Sequence, residues 1–446
     1  MTINFYNKTG NTDLYLFFDY TAAGTTNAVN MPNMTYIQPW KPSNNNNETA
    51  TLALTDPYTC SFDYLNSGTF WYLVTNEIGA KTIKDNPGVA MGTADPNWVG
   101  GFAELSYLSG TTESYFDVTN VDQVGLMCGV EFLESTGNPT GKTCGYGHTA
   151  NDFIEGLAKA CNLPSGTSAK VSITNKQGNS YTKLWGPTVP QVTSQYNKTY
   201  DDYINKLTSN GTSITIQSDS TIGSPHGGTQ LDAHTFVGQF GQPSFDMPSD
   251  SVIKKSDVVL WFKCTEPFDS KKKEETTYIF VTKDGMNGGT IMSGSSAGGM
   301  YVYPAFEYAD PKDQSTIKKG GWANDVSLNW TATGANAVAD TTCFQALISS
   351  VIRDLITALN LGYIGISSDK KDFTYRDNNT YASAATQAKY TNEWNEYITN
   401  NSDSYGMAYS DGTHAKVQFH PDVNGGLNCY IFGQDDKNTT HYWSKS

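Results

Sequence analysis

The chain has 446 residues, enough for two or three hydrophobic cores, with few charged residues (16%) and many aromatic ones (13%). This composition is typical of a β-rich globular protein with a polar surface and excludes a coiled coil or a disordered chain. The net charge of −15 argues against nucleic acid or an anionic membrane as partner, because both require clustered Lys and Arg. A neutral polymer remains a suitable partner.

The termini and the metal-binding residue types give further exclusions. No apolar run approaches the roughly 20 residues of a membrane helix, so we predict no membrane partner. Met1 leads directly into a predicted strand; we expect an intracellular protein if Met1 is the native start and a secreted one if a signal peptide was removed. The seven cysteines show no CxxC spacing and the six histidines no i, i+4 pair, so no metal or cofactor is predicted. The sequence makes no prediction of oligomeric state.

The first 135 residues or so read as short strands separated by turn residues, a pattern typical of a sandwich or barrel. Strands are predicted at 3–6, 13–20, 49–54, 69–75 and 130–133. A closing strand is predicted near 430–432. An isolated strand at either end would leave unpaired backbone groups, so we expect the first and last strands to belong to one β domain.

Two further strands, 102–107 and 115–126, predict a hairpin around a short polar loop. Each strand carries one carboxylate among apolar neighbours, Glu104 and Asp122. Two acids on neighbouring strands can face one cleft, and unequal surroundings can separate their pKa values into an acid and a base. The alternative for each is a solvated strand residue, since most charged side chains are exposed.

The middle of the chain changes character. Apolar residues recur at helical spacing in three segments, and Gly362 supplies a stop for the last of them. The predicted helices cover 151–161, 200–207 and 341–361, and β-like runs lie at 213–217, 258–262 and 278–281. A mixed α/β insertion fits this alternation.

The acid-bearing hairpin resembles glycoside hydrolase family 64, the laminaripentaose-producing β-1,3-glucanases, and more distantly the thaumatin-like proteins. In both, a Glu-(Phe/Tyr/Leu)-(Thr/Ser) strand precedes a Val-Asp pair at a similar separation, which here is 18 residues from Glu104 to Asp122. Segments 95–97, 201–205 and 405–411 also resemble family 64. The tail departs from the family's Phe-Ala-Phe-Asp-Asp pattern, and 265–340 has little counterpart.

The resemblance implies a β-rich α+β fold. A thaumatin-like β-sandwich or barrel would carry an inserted mixed α/β domain, with a wide groove between the two. The expected bounds are 1–138 for the first part of the β domain with the acid pair, 139–400 for the insertion, and 401–446 for strands returning to the β domain.

The resemblance also implies an endo-acting β-1,3-glucan hydrolase that inverts by single displacement. Glu104 would be the general acid and Asp122 the general base. Family 64 places aromatic residues near its sugar groove, and flat rings suit the apolar faces of glucose. The predicted substrate-binding residues are Ser106, Tyr115, Thr119, Trp71 and Tyr72.

Other classes remain open. One is a non-catalytic thaumatin-like protein that binds glucan or acts in defence, and another is an intracellular structural or inclusion-forming protein. Residues 294–298 satisfy Gly-x-Ser-x-Gly and 225–228 resemble an oxyanion-hole motif, but the strand and helix of a nucleophile elbow are missing, which favours a loop. Residues 137–143 fall one residue short of a phosphate loop and predict a hairpin turn.

Overall fold

The computed structural model divides into two compact units: unit 1 comprises 1–196, 393–410 and 415–446, and unit 2 comprises 197–392 and 411–414. The chain passes from unit 1 to unit 2 after residue 196 and returns to unit 1 at residue 393. The bounds expected from the sequence for the inserted domain are 139 and 400. The structure describes residues 1–10, 14–19, 38–39, 57–61, 65–85, 95–107, 115–187, 189, 191–196, 198–217, 235–245, 254–264, 277–282, 306–309, 317–320, 355, 359, 364, 372–374, 393–406 and 425–444.

Unit 1 contains three sheets and three α-helices among its described residues. Its strands are β1 (Thr2–Lys8), β2 (Leu14–Asp19), β3 (Gln38–Pro39), β4 (Tyr58–Ser61), β5 (Leu65–Thr75), β6 (Trp98–Tyr107), β7 (Tyr115–Thr119), β8 (Gln123–Val124), β9 (Met127–Leu133), β10 (Pro139–Cys144), β11 (Lys170–Thr174), β12 (Ser180–Trp185) and, at the other end of the chain, β20 (Gly426–Phe432). Its helices are α1 (Glu77–Asp85), α2 (Ala150–Ala160) and α4 (Glu393–Asn401), with short 3₁₀ turns at Thr193–Gln195 and Lys437–Tyr442.

Both ends of the chain lie in one five-stranded sheet, ordered β10-β9-β20-β1-β4. β1 pairs in parallel with β20, from Thr2 opposite Gly426 to Lys8 opposite Phe432. The alternation of β1 buries Ile3 and Phe5 completely. The prediction that the first and last strands belong to one β domain is confirmed.

A second five-stranded sheet, ordered β3-β2-β5-β6-β7, packs on the first through aromatic side chains. The ring centroids of Phe5 and Phe70 are 5.0 Å apart, and those of Phe116 and Phe132 are 5.9 Å apart, both edge to face. One face of the second sheet is therefore core. The residues that form it are Phe70, Tyr72, Ala103, Leu105, Phe116 and Val118, each no more than 1% exposed.

A smaller sheet, β11-β12-β8, and two helices complete unit 1. α2 begins where the Thr149 hydroxyl accepts a hydrogen bond from the Asp152 amide at 3.2 Å, and its apolar stripe buries Phe153. Phe153 packs edge to face on Tyr397 of α4 at 5.1 Å. The predicted helix at 151–161 is confirmed to within one residue at each end.

Unit 2 contains a seven-stranded sheet, ordered β18-β17-β16-β15-β14-β13-β19 and antiparallel except for the parallel pair β13–β19. Its strands are β13 (Ser213–Gln217), β14 (Thr235–Phe240), β15 (Val258–Cys264), β16 (Thr277–Thr282), β17 (Phe306–Ala309), β18 (Ile317–Gly320) and β19 (Asp372–Thr374), accompanied by α3 (Lys198–Ser209) and a 3₁₀ turn at Lys255–Asp257. The predicted helix at 200–207 and the three predicted strands of the middle region are confirmed.

Several predictions fall outside the described residues. They are the Gly-x-Ser-x-Gly segment 294–298, the segment 225–228, the strand at 49–54 and, apart from Leu355 and Leu359, the helix at 341–361. The hairpin turn lies at 134–138, where the Glu134 amide donates to the Asn138 carbonyl at 2.8 Å, so the turn predicted at 137–143 is wrong over most of its length. From Pro139 onward this segment is strand β10.

Across the described ranges the chain is β-rich with few helices, and none of its sheets closes into a barrel, in agreement with a β-rich α+β class. Within the same ranges no helix has the length and apolar character needed to cross a membrane.

The shared core of the two facing sheets generates a stability prediction. Phe5→Ala removes a fully buried ring from β1, and large-to-small changes of this kind cost about 3–5 kcal/mol of unfolding free energy. Urea unfolding followed by tryptophan fluorescence measures the loss. The control is Ile78→Ala on α1, where the side chain is 65% exposed and the change is expected to stay within about 0.5 kcal/mol. Equal effects of the two changes would contradict the packing described.

Candidate active site

Glu104 and Asp117 lie directly opposite each other on β6 and β7. Directly opposed residues of an antiparallel pair point to the same face, and Thr119 shares that face because it follows Asp117 by two residues. The other face of the sheet is the aromatic core. Two carboxyl groups and a hydroxyl therefore share the face turned away from that core.

The Thr119 hydroxyl lies between the two carboxyl groups. Its oxygen is 2.7 Å from Asp117 Oδ1 and 3.4 Å from Glu104 Oε2. Asp117 is only 4% exposed, whereas Glu104 is half-buried. Asp117 is not among the predicted site residues, because its place opposite Glu104 depends on the register of the hairpin.

Burial changes the protonation of both carboxyl groups. It raises the pKa of Asp117 to about 8; the nearby Glu104 charge adds to this shift and the Thr119 hydrogen bond opposes it. Burial is also the main cause of a raised pKa at Glu104, where the Thr119 hydrogen bond acts in the opposite direction and the charge of Asp122 adds to the rise. Both groups hold protons to higher pH than ordinary surface carboxyls.

Asp122 is positioned by the backbone around it rather than by a continuing strand. β7 ends at Thr119, so the predicted strand 115–126 is corrected to β7, a connecting turn and β8. The Gly186 amide donates to the Asp122 carbonyl at 2.6 Å. Gly125 then packs on β6 so closely that a Cβ there would lie 2.4 Å from the Gly100 carbonyl oxygen, which requires glycine. Asp122 is half-buried and near enough to raise the pKa of Glu104.

The end of β7 is fixed by a buried polar network around Asn120. The backbone amide of Asn120 donates to the Tyr405 carbonyl at 2.8 Å. Its side-chain Nδ2 donates to Ser404 Oγ at 2.7 Å and to the Tyr146 hydroxyl at 3.1 Å. The Trp394 indole donates to the Asn120 carbonyl at 3.0 Å. Ser404 is 284 residues from Asn120 along the chain, so no local pattern could have identified this network.

The turn that leads into β6 is held by a buried lysine. Lys183 of β12 donates to the Asp95 carbonyl at 2.7 Å, and its Nζ lies 3.7 Å from the ring centroid of Trp98. Burial lowers the pKa of Lys183 to about 7, while the charge of Asp95 opposes this shift. The Asp95 carboxylate also accepts the Asn97 amide at 2.8 Å, which sets the turn into the strand that carries Glu104.

Two of the three aromatic candidates, Trp71 and Tyr72, lie on opposite faces of β5. Trp71 is opposite Phe102 on the Glu104 face and stacks on it with centroids 4.2 Å apart, leaving 7% of Trp71 exposed. Tyr72 lies on the core face and is completely buried. This corrects its predicted role in substrate binding, because a ring enclosed by the core has no face to offer a sugar.

The remaining candidates lie along the same strand pair. Ser106 is two residues from Glu104 on β6, is 2% exposed, and pairs through its backbone with Tyr115. The side chain of Tyr115 lies outside the described residues. By register the structure thus brings Ser106, Thr119 and Trp71 to the face that carries Glu104. No group of three or more His, Cys, Asp or Glu side chains arranged for a metal occurs in the part of the chain that the structure describes.

Comparisons with known proteins give matches among solved structures only. No protein-family model matches the chain, and no curated protein matches it. A crystal structure of a laminaripentaose-producing β-1,3-glucanase in complex with laminaritetraose is 12% identical, with 98% of this chain and 99% of that chain covered and a TM-score of 0.45. A β-1,3-glucanase domain of family GH64 from Clostridium beijerinckii is 13% identical, with 97% and 98% covered and a TM-score of 0.45. A GH64 laminaripentaose-producing β-1,3-glucanase from Paenibacillus barengoltzii is 11% identical, with 97% and 74% covered and a TM-score of 0.39.

The buried carboxyl of Asp117 generates a prediction about stability and pH. An unfolded chain releases this proton near pH 3.9, whereas the folded protein keeps it until about pH 8, so burial of Asp117 costs progressively more stability between these values. Asp117→Asn removes that cost. The variant should gain unfolding free energy over the wild type by about 1.4 kcal/mol per pH unit as pH rises from 4 to 8.

Urea unfolding at pH 4, 6 and 8 measures this gain. Glu131→Gln, on β9 of the other five-stranded sheet, is the matched carboxylate-to-amide control. An Asp117→Asn difference that is the same at pH 4 and pH 8 would contradict the buried, protonated carboxyl.

Proposed function

We propose that this chain is an endo-acting β-1,3-glucan hydrolase that inverts by single displacement, with Glu104 as general acid and Asp122 as general base. The observation that carries the proposal is the position of Glu104, which lies half-buried on the face of β6 turned away from the aromatic core. It is close enough to Asp122 for that charge to add to the rise that burial causes in the pKa of Glu104. A carboxyl that keeps its proton to higher pH than usual, beside an acid in a different environment, is the arrangement that acid–base hydrolysis needs. The substrate class rests on the resemblance carried by the hairpin sequence.

In the proposed reaction Glu104 gives its proton to the glycosidic oxygen as the bond to the anomeric carbon breaks. Asp122 removes a proton from a water molecule that attacks this carbon from the opposite side. Inversion requires the two carboxyl groups to lie roughly 6.5–9.5 Å apart, so that the water fits between them. The backbone contacts of Gly186 and Gly125 support a fixed position of Asp122 beside β6.

Side chains around Glu104 suit a neutral sugar. Ser106 and Thr119 carry hydroxyl groups, and Trp71 with Phe102 adds a stacked aromatic pair on the same face. Hydroxyl groups serve as hydrogen-bond donors and acceptors to sugar hydroxyls, and aromatic rings border the apolar faces of pyranoses. Ser106, Thr119 and Trp71 are the proposed substrate contacts, together with Tyr115 through its place on β7. They are 2%, 3% and 7% exposed, so they would border the sugar from behind Glu104, and Trp71 and Phe102 also pack with Leu73 and Trp98 in a buried apolar cluster.

Laminarin hydrolysis tests the proposal directly. Glu104→Gln keeps the shape of the side chain but removes the transferable proton, so the release of reducing ends should fall by at least ~10²-fold. Asp122→Asn should also strongly reduce the release of reducing ends. Glu131→Gln, on a different sheet, should keep wild-type activity. Circular dichroism and thermal melting establish that each variant is folded.

The outcomes separate the candidate functions. A fully active Glu104→Gln protein would remove Glu104 from the mechanism. Wild-type protein that binds laminarin without releasing reducing ends would favour the non-catalytic glucan-binding function, and protein that does neither would favour a structural role.

A further inference from the structure

The row Asp117–Thr119–Glu104 has one hydroxyl between two carboxyl groups. Thr119 Oγ1 lies within hydrogen-bond distance of an oxygen on each side, at 2.7 and 3.4 Å. A hydroxyl has a single proton to donate. Two hydrogen bonds along the row therefore require a second proton, and that proton must belong to one of the carboxyl groups.

The surroundings of the row also oppose two negative charges. Glu104 faces Asp117 across the strand pair and also senses the charge of Asp122. The Cys144 thiol of β10 lies within electrostatic reach of Asp117 and is itself kept neutral, because burial raises the pKa of this thiol. Within the described ranges, no Lys, Arg or His forms an ion pair with either carboxyl group. A pair of unbalanced charges here would be costly, because both groups are largely withdrawn from water.

We propose that Asp117 holds a proton at neutral pH and shares it with Glu104 through the Thr119 hydroxyl, so that the two carboxyl groups act as one acid. Asp117 would supply the proton that Glu104 transfers, and the Thr119 hydroxyl would be the hydrogen-bonded bridge between the two carboxyl groups. The catalytic part of this inference rests on the proposed function. The sharing of the proton does not, because it concerns the two carboxyl groups alone.

The order of ionisation follows from exposure. Glu104 reaches solvent and loses its proton first, and Asp117 is the last to ionise, near pH 8. Between these two steps the pair carries one proton, which rests on Asp117. For the reaction Thr119 gives its proton to Glu104 Oε2 and takes the proton of Asp117, and Glu104 then protonates the leaving group. Afterwards Glu104 takes a proton from solvent, to which Asp122 has released the one taken from water, and the same relay in reverse returns a proton to Asp117, so protons balance over the cycle.

Carboxyl-carbon NMR tests the shared proton without any activity. Protein labelled with ¹³C at Asp and Glu side-chain carboxyls is titrated, with Glu104→Gln and Asp117→Asn used for assignment. In the wild type the chemical shift of the Glu104 carboxyl carbon should change in two steps as the pH rises, and the second step should coincide with the titration of Asp117 near pH 8. In Asp117→Asn it should shift in one step. A single step in the wild type, unchanged in Asp117→Asn, would overturn the proposal.

The bridging role of Thr119 is tested by the sign of a pH shift. Thr119→Val removes a hydrogen bond that lowers the pKa of both carboxyl groups, so electrostatics alone would move the alkaline limb of laminarin hydrolysis to higher pH. Loss of the bridge should instead move the alkaline limb to lower pH, and Asp117→Asn should move it in the same direction. Above the pH at which the limb begins, activity should fall about tenfold per pH unit. Thr119→Ser should restore the wild-type profile.

Thr75→Val is the matched control, since it alters another buried threonine of the same sheet away from the carboxyl groups. A Thr119→Val limb at higher pH would overturn the bridge. If Thr119→Val does not fold, Thr119→Ser and Asp117→Asn still decide the question by NMR. Two-step titration of Glu104 in a protein that does not cleave laminarin would leave the shared proton standing and remove the proposed function.

Discussion

The register between β6 and β7 is the constraint on which the candidate site depends. It sets Glu104 opposite Asp117 and, on the reverse face, Leu105 opposite Phe116 in the core. Strand side chains alternate with a period of two, so a slip of one residue would turn the carboxyl groups into the core and the apolar side chains outward. Core packing and the geometry of the candidate site are therefore fixed by the same set of backbone hydrogen bonds.

Distant parts of the chain hold this register at the open end of the hairpin, where β6 begins and β7 ends. Lys183 holds the turn that opens β6, and the Asn120 network holds the end of β7 against Ser404 and Tyr405. The amide of Tyr405 also donates to the Val118 carbonyl at 2.6 Å, which extends the pairing of β7 by one short bridge. Tyr405, the first residue of the segment 405–411, thus supports the acid-bearing strand directly.

The sequence predicted strands and helices well where periodicity was strong, and it predicted the faces of the sheet poorly. Trp71 and Tyr72 were treated alike, although neighbours on a strand must point to opposite faces, and only Trp71 shares the face of Glu104. Asp117 was missed because its role depends on the hairpin register. Lys183 was missed because a lone lysine on a strand is usually solvated, whereas this one is fully buried against Trp98. The Asn120 network depends on contacts such as that between Asn120 and Ser404, which are 284 positions apart along the chain.

A carboxyl group that costs stability at neutral pH is more readily explained by chemistry than by folding, since proteins retain destabilising groups where function requires them. The central claim is that Glu104 and Asp122 act from opposite sides of one glycosidic bond. Proton NMR of the first product formed from laminarin tests this most directly. The account predicts that the new reducing end appears first as the α-anomer; initial release of the β-anomer would contradict it.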